Sequence, residues 1–381
     1  MSVIDKTLIW WRAVPVDVEM GLVEYLSKNW KGEIFILSCL ELENERKICQ
    51  WDKKTYEKVH FIYRQDQQEI IDQLFLKDAI HIFSGIKGPQ EKYLKLLKKL
   101  NSKRKDCVLV CESPSAYGNK IKRLIKNRLY PLLYGYYWKK YGSMFFTFFT
   151  LGKKADKLYN SYGWSSNIIY PFMYLPVVDA IVDNYHKTCT DRLKGIYLGR
   201  FRFSTKGVDD LMKAIDIVNN PKLQMDFVGG YGEDKDKVIE WCERSSSAKY
   251  KGTWHSDEII KRLVDYDFIV VPSKCEGWNM APYQSVCAGI GCIVSDKAGS
   301  EDLIENSASG IVYKSGDYVA LSKILKKILD NNSIVNFWKE NALAFQKKIT
   351  IDTVGSYFVD VIKYQIGETE TQPNCPWERK K

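Results

Sequence analysis

Three charged side chains in the second half of the chain have the types and positions needed to bind a phosphorylated polyol. Arg200 and Lys206 follow the apolar run "GIYL", and Glu276 follows the apolar run "DFIVVPS". Arginine and lysine together can hold a diphosphate, arginine through its planar fork and lysine as a point charge. An ionised carboxylate accepts hydrogen bonds from two neighbouring hydroxyls, as a sugar presents them. Phosphate and polyol in one site indicate a sugar nucleotide.

The loop around Glu276, "SKCEGWNMA", leads into a predicted helix, "PYQSVCAG", with Pro282 in its first turn, where proline is tolerated. A helix start presents unpaired N–H groups and a partial positive charge, which suits phosphate. Phosphate repels a carboxylate, so Glu276 is expected to face hydroxyls. By themselves an arginine and a lysine six residues apart are more often solvated surface charges, and only their combination with the Glu276 loop favours a site.

The elements that would position these residues alternate between apolar strands and amphipathic helices, which predicts βαβ units and parallel sheets. The alternation runs through the first half and restarts at Leu193, and Lys206 is predicted to begin a helix. We therefore predict an α/β fold with two doubly wound, Rossmann-like domains, residues 1–178 and 179–350, facing a central cleft. A last helix, 351–367, is expected to cross back to the first domain, and the polar tail, 368–381, to be disordered.

Composition narrows the class of protein. The chain has 381 residues, a net charge of +10 and ten cysteines, none of which form a CxxC pair. This pattern favours buried, reduced thiols over a metal site and therefore a cytoplasmic protein. The longest apolar run, "MFFTFFTLG", is far shorter than a membrane span. A nicotinamide oxidoreductase would need a GxGxxG turn, and "VGGYGED" does not supply one.

An ordered set of motifs gives a family resemblance. "GR…KG", "FVGGYGED", "YKGTW", "PS…EG" and "GSEDLIENSASGIVY" follow one another through nearly all of the C-terminal half. In this order they resemble the retaining glycosyltransferases of family 4 (glycosyl transferases group 1), which have the GT-B fold. The N-terminal half matches more loosely, in "DAIHIFSG" and in "LGKKADKLYNSYGWSSNIIYPFMYLP". The resemblance implies an N-terminal acceptor domain and a C-terminal nucleotide-sugar domain.

The resemblance also implies roles for residues. Arg200 and Lys206 would hold the donor diphosphate and Glu276 the hydroxyls of the transferred sugar, with retention of configuration and without a metal or other cofactor. The backbone of Asn279 and Met280 would meet phosphate. The family's second motif glutamate, which grips the ribose, is Gln284 here, and this departure keeps open a non-catalytic GT-B protein that binds sugar nucleotides. The implied donor-binding set also includes Gly229, Thr253, Gly277 and Trp278.

The first domain offers two candidates for acceptor chemistry. Glu112 ends the strand-like "VLVCE" and could orient or deprotonate the acceptor hydroxyl, or it could be a loop carboxylate with a structural partner. His81, in "DAIHIFSG", is more often a satisfied core histidine than a catalytic one.

A basic aromatic segment without acidic residues fits the interface of an anionic membrane. Its candidate contacts are Lys120, Lys122, Arg123, Lys126, Arg128, Trp138, Lys139 and Lys140. A basic helix packed on its own domain and a nucleic-acid surface are the alternatives, the latter without any recognised binding motif. The membrane interpretation predicts a peripheral protein on the cytoplasmic face, acting on a lipid-linked or glycan acceptor in surface polysaccharide or glycolipid synthesis.

Overall fold

The computed structural model describes residues 2–13, 17–40, 56–62, 68–75, 77–114, 120–177 and 192–378. The chain forms two compact units. Unit one comprises Met1–Pro114, Ile125–Val177 and Ile351–Pro376, and unit two comprises Ser115–Leu124, Val178–Thr350 and Trp377–Lys381.

Unit one is built on a seven-stranded parallel sheet with the strand order β3-β2-β1-β4-β5-β6-β7. Its strands are β1 (Thr7–Arg12), β2 (Ile34–Ser38), β3 (Val59–Ile62), β4 (Ala79–Ser84), β5 (Cys107–Glu112), β6 (Phe145–Leu151) and β7 (Ile169–Phe172). The order reverses between β1 and β4, and ligands of such sheets bind at the carboxyl ends of the strands near this switch. Parallel strands covered on both faces are mostly apolar, and all seven residues of β6 are buried, with Thr147 and Thr150 as its polar residues.

The helices of the first part of the chain are α1 (Met20–Asn29), α2 (Gln68–Phe75), α3 (Glu91–Leu100), α4 (Lys120–Tyr141) and α5 (Lys153–Ser161). The core beneath them is rich in aromatic rings: Trp11 is fully buried and stacks on Tyr93 at 4.5 Å between ring centroids. Each such ring contributes roughly 1.5–3 kcal/mol through burial.

Unit two has a six-stranded parallel sheet with the order β10-β9-β8-β11-β12-β13. Its strands are β8 (Leu193–Leu198), β9 (Leu223–Val228), β10 (Ala248–Tyr250), β11 (Phe268–Val271), β12 (Gly291–Ser295) and β13 (Gly310–Tyr313). Its helices are α6 (Phe203–Lys206), α7 (Val208–Val218), α8 (Lys235–Arg244), α9 (Ile259–Leu263), α10 (Ala281–Cys287), α11 (Glu301–Ser307), α12 (Tyr318–Asp330) and α13 (Ser333–Gln346). The order reverses between the adjacent strands β8 and β11, which lead to Arg200 and to Glu276.

The last helix, α14 (Ile351–Gln365), packs on unit one. Phe358 stacks on Phe149 of β6 at 4.5 Å, and Gly355 lies against the ring of Tyr25 in α1. The tail expected to be disordered is described to residue 378, and its Trp377 is buried, with 4% of its surface exposed. That expectation is wrong for this part of the tail, because a large aromatic side chain gains from burial whatever the polarity of its neighbours.

In the described part of the chain, every helix falls short of the length and apolarity that crossing a bilayer requires.

Candidate functional site

The carboxylate of Glu276 is held through one of its two oxygens. Oε1 lies 3.0 Å from Ser273 Oγ, 3.1 Å from Asn279 Nδ2 and 2.5 Å from Lys206 Nζ. Within the described residues no side chain or backbone group donates to Oε2. The Glu276 side chain is 10% exposed. The protein therefore fixes one oxygen and leaves the other able to accept hydrogen bonds from a bound molecule.

Lys206 reaches Glu276 because the turn that carries it packs on the end of β11. The next residue, Gly207, has a φ of 65°, and a Cβ there would lie 2.0 Å from the carbonyl oxygen of Pro272. The carbonyl of Thr205 accepts the N–H groups of Lys274, at 2.7 Å, and Cys275, at 3.2 Å. A side chain at position 207 would separate these segments, so glycine is needed for the contact.

The prediction that Lys206 begins a helix is wrong. Lys206 is the last residue of the four-residue helix α6, and α7 begins at Val208. The left-handed backbone of Gly207 ends α6, as glycine commonly does at a helix C-terminus.

Arg200 follows β8 and is exposed. Its guanidinium has neither an ion pair nor a hydrogen bond within the described residues, and its carbonyl accepts from the hydroxyl of Tyr197 at 2.7 Å. Burial raises the pKa of Tyr197 well above its ordinary value; the charge of Glu276 raises this pKa further and that of Arg200 opposes it. Both charges therefore lie close to one buried, neutral hydroxyl, and Arg200 remains an uncommitted cation.

The loop after Glu276 is buried against the turn that follows β12. Gly277, Trp278 and Asn279 are buried, and Met280 is half-buried. The backbone N–H of Asn279 donates to the carbonyl of Ala298 at 3.0 Å. The expectation that this N–H meets phosphate is therefore wrong, because the N–H is already paired within the protein. The expectation that the backbone of Met280 meets phosphate stays a prediction. The packing is close: a Cβ on Gly299, whose φ is 82°, would lie 2.1 Å from the carbonyl oxygen of Gly277.

Gln284 lies within α10 and is half-buried. Its backbone N–H donates to the carbonyl of Met280 at 3.0 Å, as a helical residue does. Its side-chain amide makes no hydrogen bond within the described residues. The amide is therefore able both to donate to a ligand and to accept from one.

The other predicted donor-binding residues, Gly229 and Thr253, lie at the carboxyl ends of β9 and β10. The N–H of Gly229 donates to the carbonyl of Gly252 at 2.9 Å, and its own carbonyl accepts from the hydroxyl of Tyr250 at 3.0 Å. Thr253 is exposed and its side chain lies against Gly230. These loops join those of Arg200 and Glu276 at the same edge of the sheet of unit two.

At the carboxyl edge of unit one, Glu112 has a structural partner. The hydroxyl of Tyr174 donates to Glu112 Oε1 at 2.5 Å, and that of Tyr159 donates to the Glu112 carbonyl at 3.1 Å. The pKa of Tyr174 is raised well above its usual value by burial and by the charge of Glu112, an effect opposed by Arg12. Arg12 ends β1 and forms a buried ion pair with Glu19. Glu112 is half-buried at this edge.

His81 is a core histidine. It is fully buried on β4, its Nδ1 accepts from Trp11 Nε1 at 3.1 Å, and Arg104 Nη2 lies 3.4 Å from its Nε2. Burial lowers the pKa of His81 to about 3, so the ring is neutral at physiological pH. These contacts support the structural interpretation of this residue.

The basic segment forms the helix α4, whose two halves differ. Toward its end the helix packs on its own unit, because the ring of Trp138 lies 4.9 Å from that of Trp164 and the hydroxyl of Tyr137 donates to Glu91. Trp138 is half-buried there, and its membrane contact stays a prediction. Toward its start, apolar side chains spaced along one helix face are more than half exposed, namely Ile121, Leu124, Ile125, Leu129 and Leu132. Among the predicted cations, Lys122, Arg128 and Lys139 are exposed, Lys126 and Lys140 are half-buried, and the side chains of Lys120 and Arg123 lie outside the described part.

Sequence reasoning missed Ser273, Tyr197, Tyr174 and the side chain of Asn279. Ser273 and Asn279 lie three residues before and three after Glu276, a spacing that could have been noticed in the loop sequence. Tyr197 bonds to the carbonyl of Arg200, three residues further on, whereas Tyr174 reaches Glu112 only through the fold. In the part of the chain that the structure describes, no three His, Cys, Asp or Glu side chains lie close enough together to hold a metal ion.

Comparison with known proteins supports a single assignment of the C-terminal half. Residues 186–345 match the family model of the glycosyl transferases group 1. An uncharacterised glycosyltransferase of Methanocaldococcus jannaschii, MJ1069, is 23% identical over 188 residues, 48% of each chain. The capsular polysaccharide biosynthesis glycosyltransferase CapM of Staphylococcus aureus is 22% identical over 158 residues, 40% of each chain. The matched region thus spans less than half of each relative.

The fold likeness extends much further than the sequence likeness. The crystal structure of Anabaena Alr3699/HepE in complex with UDP-glucose superposes with a TM-score of 0.68 at 11% identity, covering 94% of this chain and 99% of that one. At this identity the superposition shows the fold. The chain therefore has the GT-B fold of two Rossmann-like α/β domains, and its residues 186–345 carry the sequence pattern of the glycosyl transferases group 1.

Proposed function

We propose that the protein is a glycosyltransferase that moves a sugar from a nucleotide-sugar donor to a glycan or lipid-linked acceptor, with retention of configuration and without a metal. The observation that carries the proposal is the pairing of Lys206 with Glu276 next to Arg200 at the carboxyl edge of unit two. A diphosphate and a sugar require two cations and a carboxylate with one oxygen left to accept hydrogen bonds. The loops that carry these groups lie within the match to the group 1 family.

On the donor side, Arg200 and Lys206 would bind the diphosphate. The guanidinium of Arg200 is uncommitted, and the ammonium of Lys206 has three donors, so it can keep its bond to Glu276 and also reach a phosphate. Oε2 of Glu276 would accept from hydroxyls of the transferred sugar. Gln284 would bind the ribose, accepting from one hydroxyl and donating to the other.

In the chemical step, the bond between the anomeric carbon and the leaving phosphate breaks while an acceptor hydroxyl attacks the same face. Negative charge develops on the departing diphosphate, and Arg200 and Lys206 stabilise it; charged groups fixed in advance in this way often lower the barrier more than any other feature of an active site. The leaving phosphate would take the acceptor's proton. Glu112 would orient the acceptor hydroxyl in unit one.

The test is transfer itself. The protein is incubated with a panel of UDP, GDP, ADP and dTDP sugars and with extracted lipid acceptors, and products are identified by mass spectrometry. One donor is expected to give a product with the anomeric configuration of the donor, and chelator is expected to leave the rate unchanged. Absence of product with every donor, or a rate abolished by chelator, would contradict the proposal.

The start of α4 supports an anionic membrane as the partner surface. Five exposed apolar side chains lie on one helix face and together expose a larger apolar surface than scattered single residues do. An exposed apolar surface of this kind is typical of an interaction site. No acidic residue occurs from Ser113 to Ala155, so the surroundings complement anionic headgroups. An enzyme bound to such a membrane would lie next to lipid-linked acceptors, as surface polysaccharide or glycolipid synthesis on the cytoplasmic face requires. The capsular function named for CapM points the same way.

Vesicle binding tests this surface. Reversing Lys122, Arg123 and Lys126 to glutamate is expected to release the protein from vesicles containing anionic lipid, as is replacing Leu129 and Leu132 by serine. The matched control reverses three exposed lysines of α12, Lys323, Lys326 and Lys327, and is expected to bind as wild type does. Unchanged co-sedimentation of the α4 variants would reject the membrane surface.

A further inference from the structure

The side chain of Asn279 contacts the carboxylate of Glu276, whereas its backbone pairs with the turn after β12. Its Nδ2 donates to Glu276 Oε1 at 3.1 Å and lies 3.3 Å from Ser273 Oγ. Asn279 is 9% exposed, so these bonds form away from solvent, where a hydrogen bond to a charged group is stronger than at the surface.

The orientation of the Asn279 amide is determined by a second bond. Its Oδ1 accepts the backbone N–H of Ala281, at 2.9 Å, at the start of α10. Only an oxygen can accept there, so the amide nitrogen must face Glu276, and the opposite flip of the amide would lose both bonds. The residue is also fixed through its backbone, because its N–H donates to Ala298 and its carbonyl accepts from Ser300 Oγ at 2.6 Å.

We propose that Asn279 is a positioning residue for Glu276: it holds Oε1 in place so that Oε2 faces the donor sugar. This inference rests on the proposed function and assigns a role to a side chain that the motif resemblance did not use. Asn279 ties the carboxylate to the first turn of α10, and Ser273 ties it to the end of β11. The carboxylate is thereby held from both sides of its own loop, and Lys206 supplies the charge from α6.

Asn279→Asp separates this role from helix capping. The introduced carboxylate still accepts from Ala281, so a role limited to capping predicts unchanged melting temperature and activity. It cannot donate to Glu276, however, and it places a second negative charge beside it. Two facing carboxylates share a proton as the pH falls, and the shared proton restores a donor. Lys206 and the neutral Tyr197 also face Glu276. The carbonyl of Lys297 accepts the backbone N–H of Glu276, and the Lys297 ammonium lies 4.0 Å from the carboxylate of Asp296.

The experiment measures transfer by wild type and Asn279→Asp from pH 8 down to pH 5, together with melting temperatures. We expect Asn279→Asp to remain folded and its kcat to fall about tenfold or more at pH 8, with much of the loss recovered relative to wild type as the pH decreases. Ser273→Ala, which removes a neutral donor without adding charge, is expected to lose less and to keep the wild-type pH profile.

An Asn279→Asp protein with wild-type kcat at all pH values would overturn the inference, as would a loss that stays constant with pH. Absence of transfer by wild type itself would overturn the proposed function and this inference with it. The two failures are therefore distinguishable.

Discussion

The carboxyl edges of the two sheets differ although their topologies agree. Counted from the first strand of each unit, both sheets have the order 3-2-1-4-5-6, and unit one adds β7 at one side. In unit two the loop after the fourth strand carries Glu276, held by three donors beside an uncommitted arginine. In unit one the carboxylate belongs to the last residue of the fifth strand, Glu112, and bonds to the buried hydroxyl of Tyr174. One topology thus supports a charged, preassembled site in one unit and a sparser polar edge in the other.

Under the proposed function, this difference corresponds to a division between donor binding in unit two and acceptor binding in unit one. A nucleotide diphosphate always presents the same charges, so a preassembled pair of cations with a fixed carboxylate suits it. An acceptor presents a single hydroxyl that must be aligned, for which one carboxylate and a neutral partner are enough. Substitutions in unit two should therefore affect transfer more strongly than those in unit one.

The largest effect is expected for Glu276→Gln. In the proposed mechanism the charge of Glu276 faces the donor sugar, and removing it should reduce kcat by roughly 10²–10³-fold, the range seen when one stabilising group is lost from an active site. Initial rates with the selected donor measure the effect. The matched control is Glu305→Gln, an exposed glutamate on α11, which should act as wild type does. Equal rates for the two variants would remove Glu276 from the chemistry.

The second largest effect is expected for Lys206→Met, with a decrease in kcat on the order of 10²-fold. The methionine side chain fills similar space but cannot neutralise the diphosphate. Affinity for the nucleoside diphosphate alone should also fall. Lys213→Met, at an exposed position on α7, is the control. A variant with normal diphosphate affinity would show that Lys206 serves only to pair with Glu276.

Because His81 is buried and neutral, the stability of unit one should decrease at acid pH. Its pKa is lowered to about 3 by burial, whereas a histidine in the unfolded chain has a pKa of about 6.5. As the pH falls, the unfolded chain therefore binds a proton at a higher pH than the folded chain does. The stability that the neutral His81 contributes is complete above pH 6.5 and is lost as the pH falls. By pH 5 the free energy of unfolding should drop by about 2 kcal/mol.

Urea titrations at pH 7.5 and pH 5 measure this drop. In His81→Gln, which keeps an acceptor for Trp11 but does not titrate in this range, the drop should shrink. His255→Gln, at an exposed position in unit two, should retain it. An identical drop in all three proteins would mean that another group is responsible.

A smaller effect is expected at the unit-one edge. Glu112→Gln should reduce transfer about tenfold, since a hydrogen bond to a charged group contributes roughly 1.5–3 kcal/mol. Donor binding should not change, because the residues proposed to bind the donor lie in unit two. Tyr174→Phe is the companion variant and should lose less. Weakened donor affinity in Glu112→Gln would break the proposed division between the units.

The smallest effect is a gain. Gln284→Glu should tighten donor binding about fivefold, because a carboxylate accepts from ribose hydroxyls more strongly than an amide. Calorimetry with the nucleoside diphosphate measures it. Weaker binding would show that the amide donates a bond that the carboxylate cannot replace.

The same contrast explains how much the sequence could predict. Local sequence patterns predict the strands, the parallel sheets and the loop of Glu276. The order of the strands then predicts that Arg200, Lys206 and Glu276 lie at the same edge of one sheet. The side-chain bonds of Asn279 and the contact of Gly207 with Pro272 depend on distances of a few ångströms, which spacing does not encode. Glu112 finds Tyr174 sixty-two residues away, and only the folded chain brings them together.

Calorimetric titration of wild type and Glu276→Gln with the selected nucleotide sugar, and with its nucleoside diphosphate, addresses the central claim directly. The sugar should add affinity in wild type, and this increment should disappear in Glu276→Gln while diphosphate affinity stays the same. An increment of equal size in both proteins would contradict the assignment of Glu276 to the transferred sugar.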